Sequence, residues 1–203
     1  MENILEKYNV SRETLDDLKA FQAMVLEWNT KFNLIGKNSV PDIWNRHIID
    51  SAQLCQFIKE DNLLYDFGSG AGFPGIVLAI IAKQNFPNLK ICLIESITKK
   101  TLFLNEVKSK LNLDIDIYND RVENLKPCKV DIITSRAMSS LDKLLAYAIP
   151  FTKKETKIIF PKGEKWKEEL DSAEKIYSFD YQVISSITND KARILYIKNI
   201  RRK

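Results

Sequence analysis

Histidine is almost missing from this chain: His47 stands alone among 203 residues. A lone histidine on a helix is as a rule a packed, hydrogen-bonded residue. Asp50, one helical turn on, can pair with it, so no direct chemical role is assigned to His47. Cysteine is scarce too. Cys55, Cys92 and Cys128 are odd in number, widely spaced and have no second ligand type nearby. That excludes a disulfide framework and a metal centre, and reads as buried thiols in a reducing cytoplasm. Long apolar runs are lacking as well: the longest, 76–82, is far too short to cross a bilayer, so no membrane role is expected. The start, MENILEKYNV, has no basic-then-apolar plan and does not read as a signal peptide. No internal repeat and no low-complexity linker occurs. At 45% hydrophobic residues, the chain can bury a real core, as one domain with an accessory segment.

Glycine is also sparse, six residues in all, and its distribution is the most informative feature. Gly68, Gly70, Gly72 and Gly75 sit in LLYDFGSGAGFPG, between an apolar run and a helix-like segment. A strand that turns sharply into a helix needs residues without Cβ atoms, both for positive φ and for close approach of a ligand. Two cofactor patterns fit. Gly70-Ala71-Gly72-Phe73-Pro74-Gly75 satisfies the dinucleotide fingerprint. Asp66-Phe67-Gly68-Ser69-Gly70-Ala71-Gly72 looks like the first motif of S-adenosylmethionine-dependent methyltransferases. Asp66 favours the second, because a carboxylate beside the turn repels a pyrophosphate but suits a donor carrying an ammonium and a sulfonium.

The net charge of +4 is uneven. Residues 1–61 carry 7 Lys/Arg against 10 Asp/Glu, and residues 62–203 carry 24 against 17. Basic character in the second part, together with the basic end Arg201-Arg202-Lys203, suits a polyanion such as RNA. The pattern changes at the same place. Residues 1–61 read as a helical segment, with Ser11 as an N-cap and Pro41 starting a second helix that carries Ile43, Trp44, Ile48 and Ile49. Residues 62–203 read as the catalytic domain. Strands are expected near 63–67, 90–95, 115–118, 129–134 and 156–160, with helices near 74–85, 98–111, 120–125, 139–148 and 164–177. Such alternation implies a parallel sheet. Two last strands, 181–187 and 193–200, form a hairpin. An α/β sheet of seven strands, mostly parallel with a C-terminal antiparallel hairpin, resembles the Rossmann-like class I methyltransferase fold.

In an open α/β sheet, ligands lie beyond the carboxyl ends of the strands. There the second strand ends in Glu95, whose carboxylate can accept both hydroxyls of an adenosine ribose, or cap the next helix if Ser96 and Thr98 do not. After the third strand, Val122 and Glu123 fit an adenine's ring and amino group, while Asp120 reads as a cap. After the fourth comes Arg136, over the expected methyl-transfer opening, and after the fifth comes Lys162, a second cation for a phosphate or a guanine carbonyl.

These residues, taken in order, resemble the RsmG (GidB) family of bacterial 16S rRNA guanine-N7 methyltransferases. The matching pieces are Trp28-Asn29 with Asn33-Leu34, Arg46-His47-Ile48-Ile49-Asp50-Ser51, the glycine turn through Phe73-Pro74-Gly75, and Glu95-Ser96 with Lys99-Lys100 and Phe103-Leu104. Arg121-Val122-Glu123, Ser135-Arg136-Ala137 and Lys162-Gly163 complete the series. The resemblance implies methyl transfer from S-adenosylmethionine to N7 of a guanine in the 530 loop of 16S rRNA. A cytoplasmic enzyme acting as a monomer on that RNA or on the small-subunit particle is expected. The resemblance also implies that Gly68, Phe73, Val122, Glu123 and Arg136 line the donor site, to which the residue reading adds Asp66, Gly70 and Glu95. No catalytic base and no metal are expected, since guanine N7 has no proton to lose and Arg136 serves by positioning. A nicotinamide oxidoreductase and a non-catalytic RNA-binding or ribosome-assembly protein remain as alternatives.

Overall fold

The structure, a computed structural model, describes residues 4–8, 10–59 and 63–203. Its central sheet has seven strands in the order β3-β2-β1-β4-β5-β7-β6. They are β1 (Leu63–Phe67), β2 (Lys90–Ile94), β3 (Ile115–Tyr118), β4 (Ile132–Ser135), β5 (Lys157–Lys162), β6 (Tyr177–Ser185) and β7 (Arg193–Arg202). The first five are parallel, and β7 pairs antiparallel with both β5 and β6. The expected hairpin is present, but β7 enters the sheet between β5 and β6. Strand order reverses between β1 and β4, which opens a crevice beyond their carboxyl ends.

The helices lie on both faces. On one face are α4 (Gly75–Asn85) and α5 (Thr98–Lys110), and on the other α6 (Leu141–Ala148) and α7 (Trp166–Glu174). Helix α4 is apolar all round, and its residues from Gly75 through Ala82 are all buried. A helix of that kind needs cover on two sides. The sheet supplies one side. The N-terminal helix α2 (Arg12–Asn29), preceded by the short α1 (Ile4–Lys7), supplies the other through Leu18, Phe21 and Val25. Ser11 caps α2 as expected, its Oγ accepting from the Thr14 N–H at 3.1 Å. The expected boundary between the two parts, at 61/62, lies outside the described residues.

Two expected helices are not regular. The second N-terminal helix is a chain of short turns: a 3₁₀ turn (Lys37–Asp42) holding Pro41, a π turn (Trp44–Ile49), α3 (Asp50–Ala52) and a second 3₁₀ turn (Gln53–Phe57). The physical reason is tertiary. The Asp50 N–H bonds Asn45 O, five residues back, while Arg46 O accepts from Arg136 at 2.9 Å. The helix expected at 120–125 shrinks to one turn (Val122–Asn124), because Pro127 disfavours helical backbone just ahead of it.

Candidate functional site

Strand β1 delivers the chain into the glycine turn, where Gly68 takes φ +65° and Gly70 φ +59°. Side chains other than glycine adopt that region at a cost. A Cβ on Gly68 would also come within 2.7 Å of Met138 Cγ. Gly75 is needed for a different reason: a Cβ there would lie 2.3 Å from Leu93 Cδ2 and 2.8 Å from Asp66 Oδ2. The first glycines leave room at the cleft, and the last lets α4 pack on the sheet.

Asp66 is fully buried and does not line the cleft. Its Oδ1 accepts from Thr134 Oγ1 at 2.8 Å and its Oδ2 from the Gly75 N–H at 3.2 Å. The sequence reading placed it beside the donor; the structure makes it the brace that ties β1, β4 and the start of α4. Burial pushes its carboxyl up to about 6, against the pull of these hydrogen bonds and of Arg136.

Glu95 closes β2 and is 5% exposed. Its Oε2 accepts from the Gly70 N–H and its Oε1 from the Ile97 N–H, both at 2.8 Å. Neither Ser96 nor Thr98 caps α5, so Glu95 both caps and clamps the glycine turn. A carboxylate has about four lone-pair sites, so two remain for hydroxyls. Beside it, a hollow of ≈ 160 Å³ is walled by Gly68, Ile94, Ser96, Val122, Glu123 and Met138. Val122 is 2% exposed and forms its floor, while Glu123 is exposed at its edge. Asp120 Oδ1 accepts from the Arg121 N–H and from Asn124 Nδ2, both at 2.7 Å, which is a capping role.

Next to this hollow opens a larger cavity of ≈ 710 Å³. It runs from the glycine turn (Gly68, Gly70, Phe73) past Arg136 to Lys162, Glu169 and Arg193. Leu34, Arg46, His47 and Asp50 wall it from the N-terminal segment, and Ser186 and Thr188 from the β6–β7 loop. Arg136 does not point freely into this space. Its Nη1 donates to Arg46 O and to Asp50 Oδ2 (2.9 and 3.2 Å), its Nη2 faces His47 Nδ1, and its guanidinium lies 5.2 Å from the Phe73 ring centroid. Ala137, at φ +54°, turns the chain at this point.

His47 stacks on Phe73 with centroids 4.8 Å apart. Burial, then the charges of Arg136 and Arg46, hold its imidazole down at about 3, so it is neutral at ordinary pH. Its expected pairing with Asp50 does not form: Arg136 stands between them and binds both. Asp50 is instead a hub, since its Oδ1 accepts from Gln53 Nε2 and Thr188 Oγ1, both at 2.8 Å. That hub joins three elements, and no periodicity or spacing signals it. Met138 is a second residue the motif reading missed.

Lys162 also differs from expectation. It is 8% exposed, and its Nζ donates to Ser139 O at 2.9 Å and to Glu169 Oε2 at 2.8 Å. The basic end is not a free tail either. Arg201 and Arg202 pair with Ser178 and Tyr177, and the Lys203 N–H donates to Ile176 O at 3.0 Å. Because β7 runs antiparallel to β5, Arg193 sits at the cavity beside Lys162, and Arg202 lies about 30 Å away along the strand.

Two of the three cysteines are buried, Cys128 is half-buried, and all three are free thiols. Among the described residues there is no cluster able to hold a metal ion and no helix long and apolar enough to cross a membrane.

Comparison with known proteins adds the following. A family model described as rRNA small subunit methyltransferase G (GidB) matches residues 14–197. Ribosomal RNA small subunit methyltransferase G of Ruegeria pomeroyi is 38% identical over 194 residues, covering 96% of this chain and 95% of that protein. The protein of the same name from Hyphomonas neptunium is 40% identical over 195 residues, covering 96% and 92%. Among solved structures, M. jannaschii TYW2 in complex with AdoMet superposes with a TM-score of 0.58 at 18% identity, covering 77% of this chain and 76% of that one. The precorrin-6y C5,15-methyltransferase of Geobacter metallireducens gives 0.54 at 14% identity, covering 83% and 92%. The last two show a shared fold.

Proposed function

Since the chain belongs to the rRNA small subunit methyltransferase G family, we propose that it transfers a methyl group from S-adenosylmethionine to N7 of a guanine in the 530 loop of 16S rRNA. Membership in this family sets aside the nicotinamide oxidoreductase and the non-catalytic alternatives. The observation that carries the reading is the pair of adjoining spaces at the β1/β4 switch point: a small hollow beside Glu95 and a larger cavity continuing past Arg136.

The residues fit the donor. Glu95 keeps two acceptor sites for ribose hydroxyls, and Val122 with Met138 covers an adenine whose amino group Glu123 accepts. Gly68 and Gly70 put backbone alone against the rest of the donor. Asp66 serves indirectly, holding the turn and the start of α4 in place through Thr134 and Gly75. Phe73 and Arg136 shape the wall between the two spaces. When bound, S-adenosylmethionine supplies an electrophilic methyl group on a sulfonium.

The chain itself needs only to align the acceptor. Guanine N7 offers an in-plane lone pair and loses no proton, so no base is required. His47, neutral and with Nδ1 turned to Arg136, is a packing residue and not a base. The reaction belongs to the cytoplasm, where 16S rRNA and small-subunit particles are, and one copy of the chain carries a whole site. Mass spectrometry of 16S rRNA from cells with and without this gene tests the reading. The 530-loop guanine loses one methyl mass without the gene; an unchanged mass overturns the assignment.

A further inference from the structure

The large cavity extends well beyond the donor residues. Strand order places Glu95, Val122 and the small hollow on the β1–β2–β3 side, which leaves the large cavity, on the β4–β5–β7 side, for the base to be methylated. On that side lie Lys162 and Glu169, from β5 and α7, joined at 2.8 Å. Glu169 borders both the large cavity and a neighbouring one of ≈ 540 Å³. Its carboxylate is used on one oxygen only. Oε2 accepts from Lys162 Nζ and from the Leu141 N–H at 2.8 Å, which fixes the group in place. Oε1 has no hydrogen-bond partner among the described residues. Lys162 Nζ likewise spends two of its three protons, on Glu169 and Ser139 O, and keeps one.

We propose that the Lys162–Glu169 pair selects guanine by reading O6 and N1–H on its Watson–Crick edge. This rests on the guanine assignment made above. The pair has one unspent donor and one unspent acceptor on groups joined at 2.8 Å, with Lys162 buried and Glu169 half-buried and fixed by the N-terminus of α6. Guanine offers the complement, an O6 acceptor beside an N1–H donor. Adenine offers the reverse, an N6 amino donor beside an N1 acceptor, and meets a cation with a donor and a carboxylate with a lone pair. Leaving buried polar groups unpaired in this way rejects the wrong base strongly. A carboxylate on the far edge of the ring also suits an N7-methylated product, which is cationic.

Binding to short RNAs carrying the target stem-loop tests this, with S-adenosylhomocysteine present so that no chemistry intervenes. The target position holds guanine, inosine, N1-methylguanine or 2,6-diaminopurine. Inosine keeps O6 and N1–H and binds like guanine. N1-methylguanine and diaminopurine bind more weakly by about tenfold or more, the scale of a two-bond base contact. In Glu169→Gln the amide oxygen still accepts from Leu141 and Lys162, while its NH₂ replaces Oε1 as a donor. That variant loses the preference for guanine over diaminopurine, with melting temperature and S-adenosylhomocysteine affinity retained. Equal wild-type binding of guanine and diaminopurine overturns the proposal, and so does an unchanged preference in a folded Glu169→Gln. If Glu169→Gln does not fold, the wild-type series alone decides. Failure of the enzymatic assignment is distinguishable, because wild-type protein then methylates no guanine RNA at all.

Discussion

In the proposed donor site Glu95 carries the most weight, because its carboxylate ties the glycine turn to the end of β2 through two N–H groups and has lone pairs left over. Glu95→Ala is expected to weaken S-adenosylmethionine binding more than tenfold by calorimetry, from about 1.5–3 kcal/mol for hydrogen bonds to a charged group. Glu95→Gln, which keeps one acceptor oxygen, is expected to lose less. Two other groups, the half-buried His47 and the fully buried Asp66, are expected to shape the response to acid. His47, held at about 3 against 6.5, is unprotonated in the folded state while the unfolded chain takes up a proton, so stability falls as pH drops from about 6.5 to 3. Asp66, raised from 3.8 to about 6, binds its proton more readily when folded, so its contribution grows as pH drops from about 6 to 4. The two oppose each other over most of that window. Relative to wild type, His47→Gln is expected to gain stability on acidification and Asp66→Asn to lose it, by at most about 1.4 kcal/mol per pH unit. Urea denaturation between pH 7 and 4 reads both slopes; slopes of the same sign would refute the pairing.

At the scale of elements, the N-terminal segment is held over the cleft by a polar junction. The π turn leaves Arg46 O to Arg136, and Asp50 binds Arg136, Gln53 and Thr188. Arg136 and Asp50 side chains are only 15% and 14% exposed, so removing one leaves the other charge nearly buried. Asp50→Ala is expected to cost about 3 kcal/mol in urea denaturation, the lower part of the range for breaking a buried pair. The exposed Lys19–Asp16 pair, at 59% and 62%, makes a control: Lys19→Ala is expected to change stability by less than about 0.5 kcal/mol. The same Asp50 change frees the β6–β7 loop from the segment, so protection of amide hydrogens near Thr188 is expected to fall as well.

Across the whole molecule, charge is arranged by sheet direction. The antiparallel insertion of β7 carries Arg201 and Arg202 away from the cavity, while Arg46 and Lys100 line it. Neutralising Arg201, Arg202 and Lys203 together is therefore expected to leave RNA affinity and its salt dependence unchanged. Arg46→Gln and Lys100→Gln are each expected to weaken RNA binding and to reduce the slope of log K against log salt by about 1. Titrations at several salt concentrations separate the two groups, and a flattened slope in the tail variant would contradict this layout.

By itself the sequence determined the alternation of strands and helices, the glycine turn, and the ligand-side positions of Glu95, Val122 and Arg136. Each of those follows from local chemistry: side-chain periodicity, the φ range open to glycine, and the residue next after a strand. The bounds of β1 and β3 agree with the expectation to the residue, because apolar strands in a parallel sheet end where the turn chemistry begins. What the tertiary structure alone decided is which partner each polar group takes. Asp66 turned inward because α4 packs so close that Gly75 offers its N–H there. Lys162 lost its freedom to Glu169, a partner on the following helix that no spacing rule points to. Asp50 exchanged His47 for Arg136 because a carbonyl and a carboxylate from one turn meet a guanidinium that lies 86 residues from Asp50 in the chain. Hydrogen bonds between segments that distant depend on the packing that brings them together, and packing is a property of the whole chain.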